Sequence, residues 1–252
     1  ILLNKSDLSS ERYNEAWTNW FREKGYFVVK INSRSGAGIK QINGVVQEAC
    51  KEKIERDRRR GIMNRPVRAM VVGIPNVGKS TFINSFAGKA CAKTGNKPGV
   101  TKGNQWIRLN KTLELLDTPG ILWPKFEDQR VGLLLAFIGS INDEILNKDE
   151  LALELLKLLQ KHYPDVLKER YKIDETSEEN LLIQVAKVRG CLAKGGEPDY
   201  SRAAALVIDD YRSGKLGRIT LEFPPVKKTD GDKADSAQES GAAGQNSESG
   251  EA

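Results

Sequence analysis

Cysteine and histidine are nearly absent from this sequence, and their scarcity argues against whole classes of chemistry. Cys50, Cys91 and Cys191 lie far apart with no paired spacing, and His162 is the single histidine. A disulfide framework and a zinc site are therefore not expected, and a reducing compartment fits. Apolar runs are also short: none approaches the roughly 18 residues of a membrane span, so no membrane partner is expected. No internal repeat is visible. The sequence lacks an initiating methionine and opens on the apolar run Ile1-Leu2-Leu3. A segment is expected upstream, and any targeting signal would lie in it, which leaves a cytoplasmic location expected and an organellar matrix open.

What is present is a chain of 252 residues with 39% hydrophobic content, enough for one sizeable core and a small second one. The net charge of +6 conceals an asymmetry. From Thr229 onward six acidic residues face one lysine, so residues 1–228 carry +11. A basic body points to a polyanionic partner, although excess charge also serves solubility alone. Residues 229–252 are rich in Ser, Gly, Ala, Asp, Glu and Gln, with no aromatic residue. They cannot bury enough apolar area to offset the entropy of ordering, and a disordered tail is expected beyond Pro224-Pro225.

The folded part reads first as α/β. Ile1–Leu3 is a strand, Ser10–Lys24 is a helix with Tyr13, Trp17, Trp20 and Phe21 toward a core, and Tyr26–Ile31 is a second strand. Strand, helix and strand in succession predict a parallel sheet. Ile39 to Ala49 marks a helix continuing into Lys51–Arg60. The stretch Lys51–Arg68 holds eight basic and three acidic residues and is either a solvated helix end or an RNA-contacting stripe. Val67–Val72, Trp106–Leu109 and Leu113–Leu116 are further strands, with a helix from Ser80 to Ala87. From Gln129 to Tyr211 the pattern is helical, including Asp149–His162, Glu178–Val188 and Ser201–Arg212, so a separate helical domain is expected from near residue 140.

Three motifs carry the chemistry. Gly73-Ile74-Pro75-Asn76-Val77-Gly78-Lys79-Ser80 follows a strand and opens a helix, the context required of a phosphate-binding loop. Its glycines let backbone N–H groups wrap phosphate oxygens at a helix N-terminus. Asn76, Val77, Gly78, Lys79, Ser80 and Thr81 line this cradle, with Lys79 on the β- and γ-phosphates and the Ser80 hydroxyl on Mg²⁺. Asp117-Thr118-Pro119-Gly120 ends a strand and supplies a carboxylate for the ion and a Gly120 N–H for the γ-phosphate. In Lys97-Pro98-Gly99-Val100-Thr101 the Thr101 hydroxyl is placed to close over the ion, against the alternative of a turn with an incidental threonine. Asn4-Lys5-Ser6-Asp7 reads as a guanine-selecting loop, with Ile31-Asn32-Ser33-Arg34 supplying Asn32 and Ser33 beside the base. A fixed Asp7 carboxylate accepts both N–H donors of guanine, and adenine lacks that pair. GTP is therefore expected over ATP. Lys79, Thr101, Gly120 and Asn76 are the residues expected to act in hydrolysis.

The guanine loop precedes the phosphate loop, the reverse of an ordinary small GTPase. This order resembles the circularly permuted GTPases, and the match is closer still to the ribosome biogenesis GTPase A (YlqF-type) family. It covers nearly all of residues 1–224, including Leu115–Glu127 and Arg189-Gly190-Cys191-Leu192. The resemblance implies a permuted P-loop GTPase domain, three-layered with a mostly parallel sheet and truncated at its N-terminus, over residues 1–139. It also implies a helical RNA-binding domain over 140–224 and a tail over 225–252. It further implies a cytoplasmic enzyme that acts late in maturation of the large ribosomal subunit, contacts its rRNA and is stimulated by the particle, with no DNA partner. Mg²⁺ is the expected cofactor. Asn76 resembles the asparagine that holds K⁺ in potassium-dependent relatives, against a purely structural turn residue. The family also places a hydrolytic histidine in the segment expected upstream; His162 is read as a structural or surface residue. Where many GTPases carry a water-orienting glutamine, this sequence has Ile121, which cannot orient water. A GTP-controlled RNA-binding scaffold with incidental hydrolysis therefore stays open, as does a signalling GTPase acting on proteins.

Overall fold

The computed structural model describes residues 1–63, 65–95, 99–101, 103–173 and 180–225. The expected tail, Lys97 and Pro98 of the Thr101 loop, and the start of the Glu178–Val188 helix lie outside the described residues.

Alternating apolar residues set the strands. β1 (Leu2–Leu3) pairs in parallel with β2 (Val29–Lys30). β3 (Val67–Val71), β4 (Gln105–Arg108) and β5 (Leu113–Asp117) form a second sheet in the order β3-β5-β4, with β3 parallel and β4 antiparallel to β5. The strand register puts Val71 opposite Asp117. The phosphate loop and the Asp117 loop therefore leave the sheet side by side at the carboxyl end of parallel strands, where α/β sheets place their ligands.

Helices cover these strands. α1 (Glu11–Glu23), α2 (Ile42–Ala49), α3 (Lys51–Arg59) and α4 (Lys79–Ala87) belong to this part. Ile83 of α4, Ile31 after β2 and Leu113 of β5 are at most 1% exposed and centre one core. Beyond them α5 (Gln129–Phe137), α6 (Lys148–His162), α7 (Pro164–Tyr171), α8 (Leu181–Arg189) and α9 (Tyr200–Arg212) enclose a second. The i, i+4 series Leu151, Leu155, Leu159 turns one face of α6 inward, and Asn147 caps its first turn by accepting from Asp149 N and Glu150 N. Inside this bundle the buried Asp210 is neutralised by Arg170 at 2.9 Å and accepts from Tyr171 Oη at 3.1 Å.

Three expectations are corrected. The Tyr26–Ile31 run pairs only at Val29–Lys30, and Tyr26 and Phe27 are exposed, because the chain leaves α1 through a turn in which Tyr26 N bonds Phe21 O. The single helix expected over 39–60 is broken. A 3-10 turn (Ile39–Gln41) precedes α2, and Cys50, at φ −105° and ψ 9°, separates α2 from α3. The aromatic stripe of α1 does not enter the sheet core: the buried residues of α1 are Asn14 and Thr18. Trp17 stacks on Phe21, Trp20 meets both of them edge-on, and Tyr13 meets Phe223 with ring centroids 4.5 Å apart. The segment after α9 runs back along α1. Ile219 N bonds Leu8 O, Ser10 N bonds Thr220 Oγ1 and Trp17 Nε1 bonds Glu222 O.

Candidate functional site

Asn4 is the centre of the site. It follows β1 directly, and its two side-chain atoms serve two different loops. Nδ2 donates to Val77 O of the phosphate loop at 2.9 Å, while Oδ1 accepts from Ser33 N at 3.1 Å and Ser33 Oγ at 2.8 Å. One amide thus joins segments 29 and 73 residues away in sequence. Gly78 makes the approach feasible, because a Cβ there would lie 2.4 Å from Asn4 Nδ2. Its φ of 90° also lies in the region only glycine adopts freely.

The rest of the Asn4-Lys5-Ser6-Asp7 loop is held from several directions. Ser6 donates through both N and Oγ to Ile31 O, at 3.2 and 3.0 Å, and Asn14 Nδ2 of α1 donates to Ser6 O at 2.9 Å. Lys5 has φ 56°, and its carbonyl accepts from Leu8 N. Burial lowers the Lys5 pKa, and the charges of Arg212 and Arg34 lower it further, against Asp7. Asp7 itself is exposed, between two anchored neighbours. Asn32 serves its own loop: Oδ1 accepts from Arg34 N and Ser35 N at 2.9 and 3.2 Å, which shapes the turn that presents Ser33.

On the phosphate side, Lys79 opens α4, and its Nζ donates to Gly73 O and Ile74 O, both at 2.9 Å. Ser80 Oγ and Thr101 Oγ1 are 3.2 Å apart, so two hydroxyls 21 residues apart in sequence meet. Thr81 is half-buried on the first turn of α4. Asp117 is 1% exposed and its Oδ1 has no hydrogen-bond partner in the structure. Burial raises this carboxyl pKa, opposed in part by Lys79 and the Thr118 N–H; burial likewise lowers the Lys79 ammonium pKa, opposed in part by Asp117. A buried, unpaired carboxylate oxygen in the same loop cluster as two hydroxyls fits a hard cation with oxygen ligands. Thr118 Oγ1 donates to Val71 O at 2.8 Å and fixes the turn after Asp117.

Gly120 is pressed against the phosphate loop. A Cβ on it would fall 2.7 Å from both Pro75 Cα and Pro75 N, and 2.9 Å from Lys79 Nζ. Backbone cannot yield as a flexible side chain does, so Gly120→Ala is expected to destabilise the protein by about 1–3 kcal/mol and to displace the loop. Thermal unfolding together with nucleotide titration checks both effects, and a variant unchanged in the two would contradict the packing described. Ile121, next in sequence, is 72% exposed. Asn76 adopts φ 60°, and its Nδ2 donates to Ile138 O at 2.8 Å, a contact outside every motif. Ser140, which donates to Pro75 O, and Arg212, which donates to Phe137 O and Ala136 O, flank that contact and carry no signature in the sequence.

The profile of a family described as "50S ribosome-binding GTPase" matches residues 68–187. Ribosome biogenesis GTPase A of Bacillus cereus is 49% identical over 226 residues, 89% of this chain and 76% of that protein. A GDP-bound structure of YlqF superimposes with a TM-score of 0.60 at 28% identity, covering 89% of this chain and 82% of the other. The GNP-bound form from T. maritima gives 0.59 at 28% identity, with 89% and 81% covered. With the guanine-type loop, the phosphate-type loop and the Asp117 loop joined in permuted order, and with this identity across most of both chains, the protein belongs to the ribosome biogenesis GTPase A family of circularly permuted, GTP-hydrolysing enzymes.

Proposed function

We propose that this GTPase assembles the large ribosomal subunit at a late step. Asn4, Lys5, Asp7 and the Asn32-Ser33 loop take the guanine, and Asn76 to Thr81 with Gly120 take the phosphates. In the same reading residues 1–139 form the GTPase domain, residues 140–224 contact rRNA, and the protein works in the cytoplasm. The observation that carries the nucleotide assignment is Asn4. Its amide ties the Ser33 loop to the phosphate loop, which fixes the spacing between a base and a triphosphate and leaves one Nδ2 hydrogen for the base side. The rRNA assignment rests on the +11 charge of residues 1–228 together with the family.

Ser80, Thr101 and Asp117 are the residues that would hold Mg²⁺, and the ion when bound neutralises charge on the phosphates. Addition of EDTA is expected to weaken GTP binding at least about tenfold in the wild type and to leave Asp117→Asn nearly unaffected. Binding needs the carboxylate anion, and burial raises the Asp117 pKa above its usual 3.8. The Mg²⁺ enhancement should therefore fade on acidification at higher pH than an ordinary aspartate would give. Isothermal titration across pH with and without EDTA measures both effects; a wild type indifferent to EDTA would refute the metal assignment. Asn76 is assigned to K⁺ through Oδ1, since its Nδ2 is used by Ile138 O.

Ile121 stands where a water-orienting side chain would follow Gly120, and an aliphatic group cannot polarise water. Lys79 and the Gly120 N–H can stabilise charge but cannot direct the nucleophile, so turnover by the chain alone should be slow. That same residue favours a second reading, a GTP-controlled RNA-binding scaffold with incidental hydrolysis. The two diverge in one assay: GTP turnover in potassium or sodium, with and without large-subunit precursors. Stimulation of about 10-fold or more supports the enzyme, and its absence with every particle supports the scaffold. A protein-directed signalling GTPase would show little salt sensitivity of partner binding, whereas rRNA contacts predict a steep loss with added salt.

A further inference from the structure

Residues 138–140 form the turn between α5 and the 3-10 turn Asp143–Ile145, and they belong to none of the nucleotide motifs. They nevertheless hold the phosphate loop at two consecutive residues. Ser140, 1% exposed, donates from Oγ to Pro75 O at 2.7 Å, and Asn76 Nδ2 donates to Ile138 O at 2.8 Å. Pro75 and Asn76 are the tip of the loop that leads into Lys79 and Ser80. Asn76 sits at φ 60°, a conformation that a non-glycine residue keeps when its surroundings hold it there.

The turn is itself held by one side chain from the far end of the helical bundle. Arg212, the last residue of α9, donates from Nε to Phe137 O at 2.9 Å and from Nη2 to Ala136 O at 2.7 Å. These carbonyls end α5, past the last i+4 donors of the helix; Ala136 O also accepts from Gly139 N at 3.0 Å, so the guanidinium and the turn share it. The same guanidinium forms a two-point pair with Asp143, at 2.7 Å from Nη1 and 2.9 Å from Nη2, which holds the Asp143 carboxyl below the usual range. The two layers meet at Gly139, φ 71°, where a Cβ would lie 2.9 Å from Asn76 Nδ2 and 3.1 Å from Arg212 Cζ. Arg212 also lies close enough to Lys5 for its charge to add to burial in depressing that ammonium.

We propose that Arg212 is a positioning residue for the phosphate loop, acting through the Gly139-Ser140 turn on Pro75 and Asn76, so that the helical bundle sets the shape of the nucleotide site. The proposal rests on the nucleotide reading given above for what the loop binds, but not for the junction itself. Its chemistry is specific to arginine: five donors in a planar fork reach two carbonyls and a carboxylate at once, and lysine cannot span them. A partner that shifts α9 would thereby reach the loop without touching the nucleotide. The competing account is that Arg212 only caps α5 for the stability of the bundle.

Hydrogen exchange of the nucleotide-free full chain separates the two. In Arg212→Gln and in Ser140→Ala, amides of residues 73–80 are expected to exchange at least about threefold faster than in wild type, while α6 and α8 keep their protection. Ser140→Ala leaves the Arg212 cap intact, so it reads the junction even where Arg212→Gln loosens the bundle. Unchanged exchange at 73–80 in Ser140→Ala, or a loss in Arg212→Gln confined to α5 and α9, would overturn the proposal. Affinity for a fluorescent GDP analogue should fall about tenfold in both variants, with Arg212→Lys failing to restore it. A wild type that does not bind the analogue would instead count against the nucleotide reading, and the exchange result would stand without it.

Discussion

Lys79→Ala is expected to lower GTP affinity about 100- to 1000-fold and to take turnover below detection. The side chain stands at the first position of α4, and its Nζ points back over the loop, donating to Gly73 O and Ile74 O. It is drawn out of water far enough for burial to depress its pKa, with the Asp117 charge opposing that shift. A partly desolvated ammonium held by two carbonyls keeps a donor and a full charge for phosphate oxygens with little reorganisation. Losing that charge-assisted bond together with the charge facing the phosphate oxygens costs about 3–4 kcal/mol, which is the factor quoted. Alanine suits a helix start at least as well as lysine, so the fold should survive, and the circular dichroism of the variant should match the wild type. Isothermal titration with GTP and GDP measures the loss. An affinity within about threefold of wild type would mean that residues 73–80 do not cradle phosphates.

Much of this site is legible in the amino-acid sequence because its motifs are local. Strand, glycine turn and helix follow one another within Val67 to Ala87, and each leaves its own residue pattern. Asp117 is legible for the same reason, as the polar end of an apolar strand. The connections between motifs are another matter. Asn4 reaches Val77 O, Asn76 reaches Ile138 O, Ser140 reaches Pro75 O and Arg212 reaches Phe137 O. In each case the acceptor is a backbone carbonyl, which every residue possesses, so nothing in the identity of Val77, Ile138, Pro75 or Phe137 betrays the contact. The aromatic stripe of α1 misled for a related reason. Helical spacing says that Tyr13, Trp17, Trp20 and Phe21 share a face, but not what covers it. Here the cover is partly themselves and partly Phe223, which lies more than 200 residues later. The polar Asn14 and Thr18 are the buried pair on this helix, and Asn14 secures Ser6 O.

That anchoring decides what Asp7→Asn should do. Asp7 is exposed, and an exposed carboxylate selects a base only if the backbone beneath it is fixed. Ser6 is bonded twice to Ile31 O and once by Asn14, while Leu8 N bonds Lys5 O and Leu8 O accepts from Ile219 N at 3.0 Å. The aspartate thus projects from a segment tied to β2, to α1 and to the chain after α9. Replacing it by its amide keeps shape and removes charge, so stability should change by less than about 0.5 kcal/mol. Recognition should change far more. The carboxylate can accept from both N–H groups on the guanine edge, whereas an asparagine offers one oxygen and sets an NH₂ group against a donor. GTP affinity is expected to fall about 100-fold, and preference over ATP should collapse with it. Xanthosine triphosphate carries an oxygen where guanine has its amino group, and that oxygen can accept from the new amide. Asp7→Asn should therefore bind it more tightly than wild type does. Competition titrations with the three nucleotides decide the matter: GTP affinity left intact in Asp7→Asn, with no gain for the xanthosine nucleotide, would show that the loop after β1 reads no base.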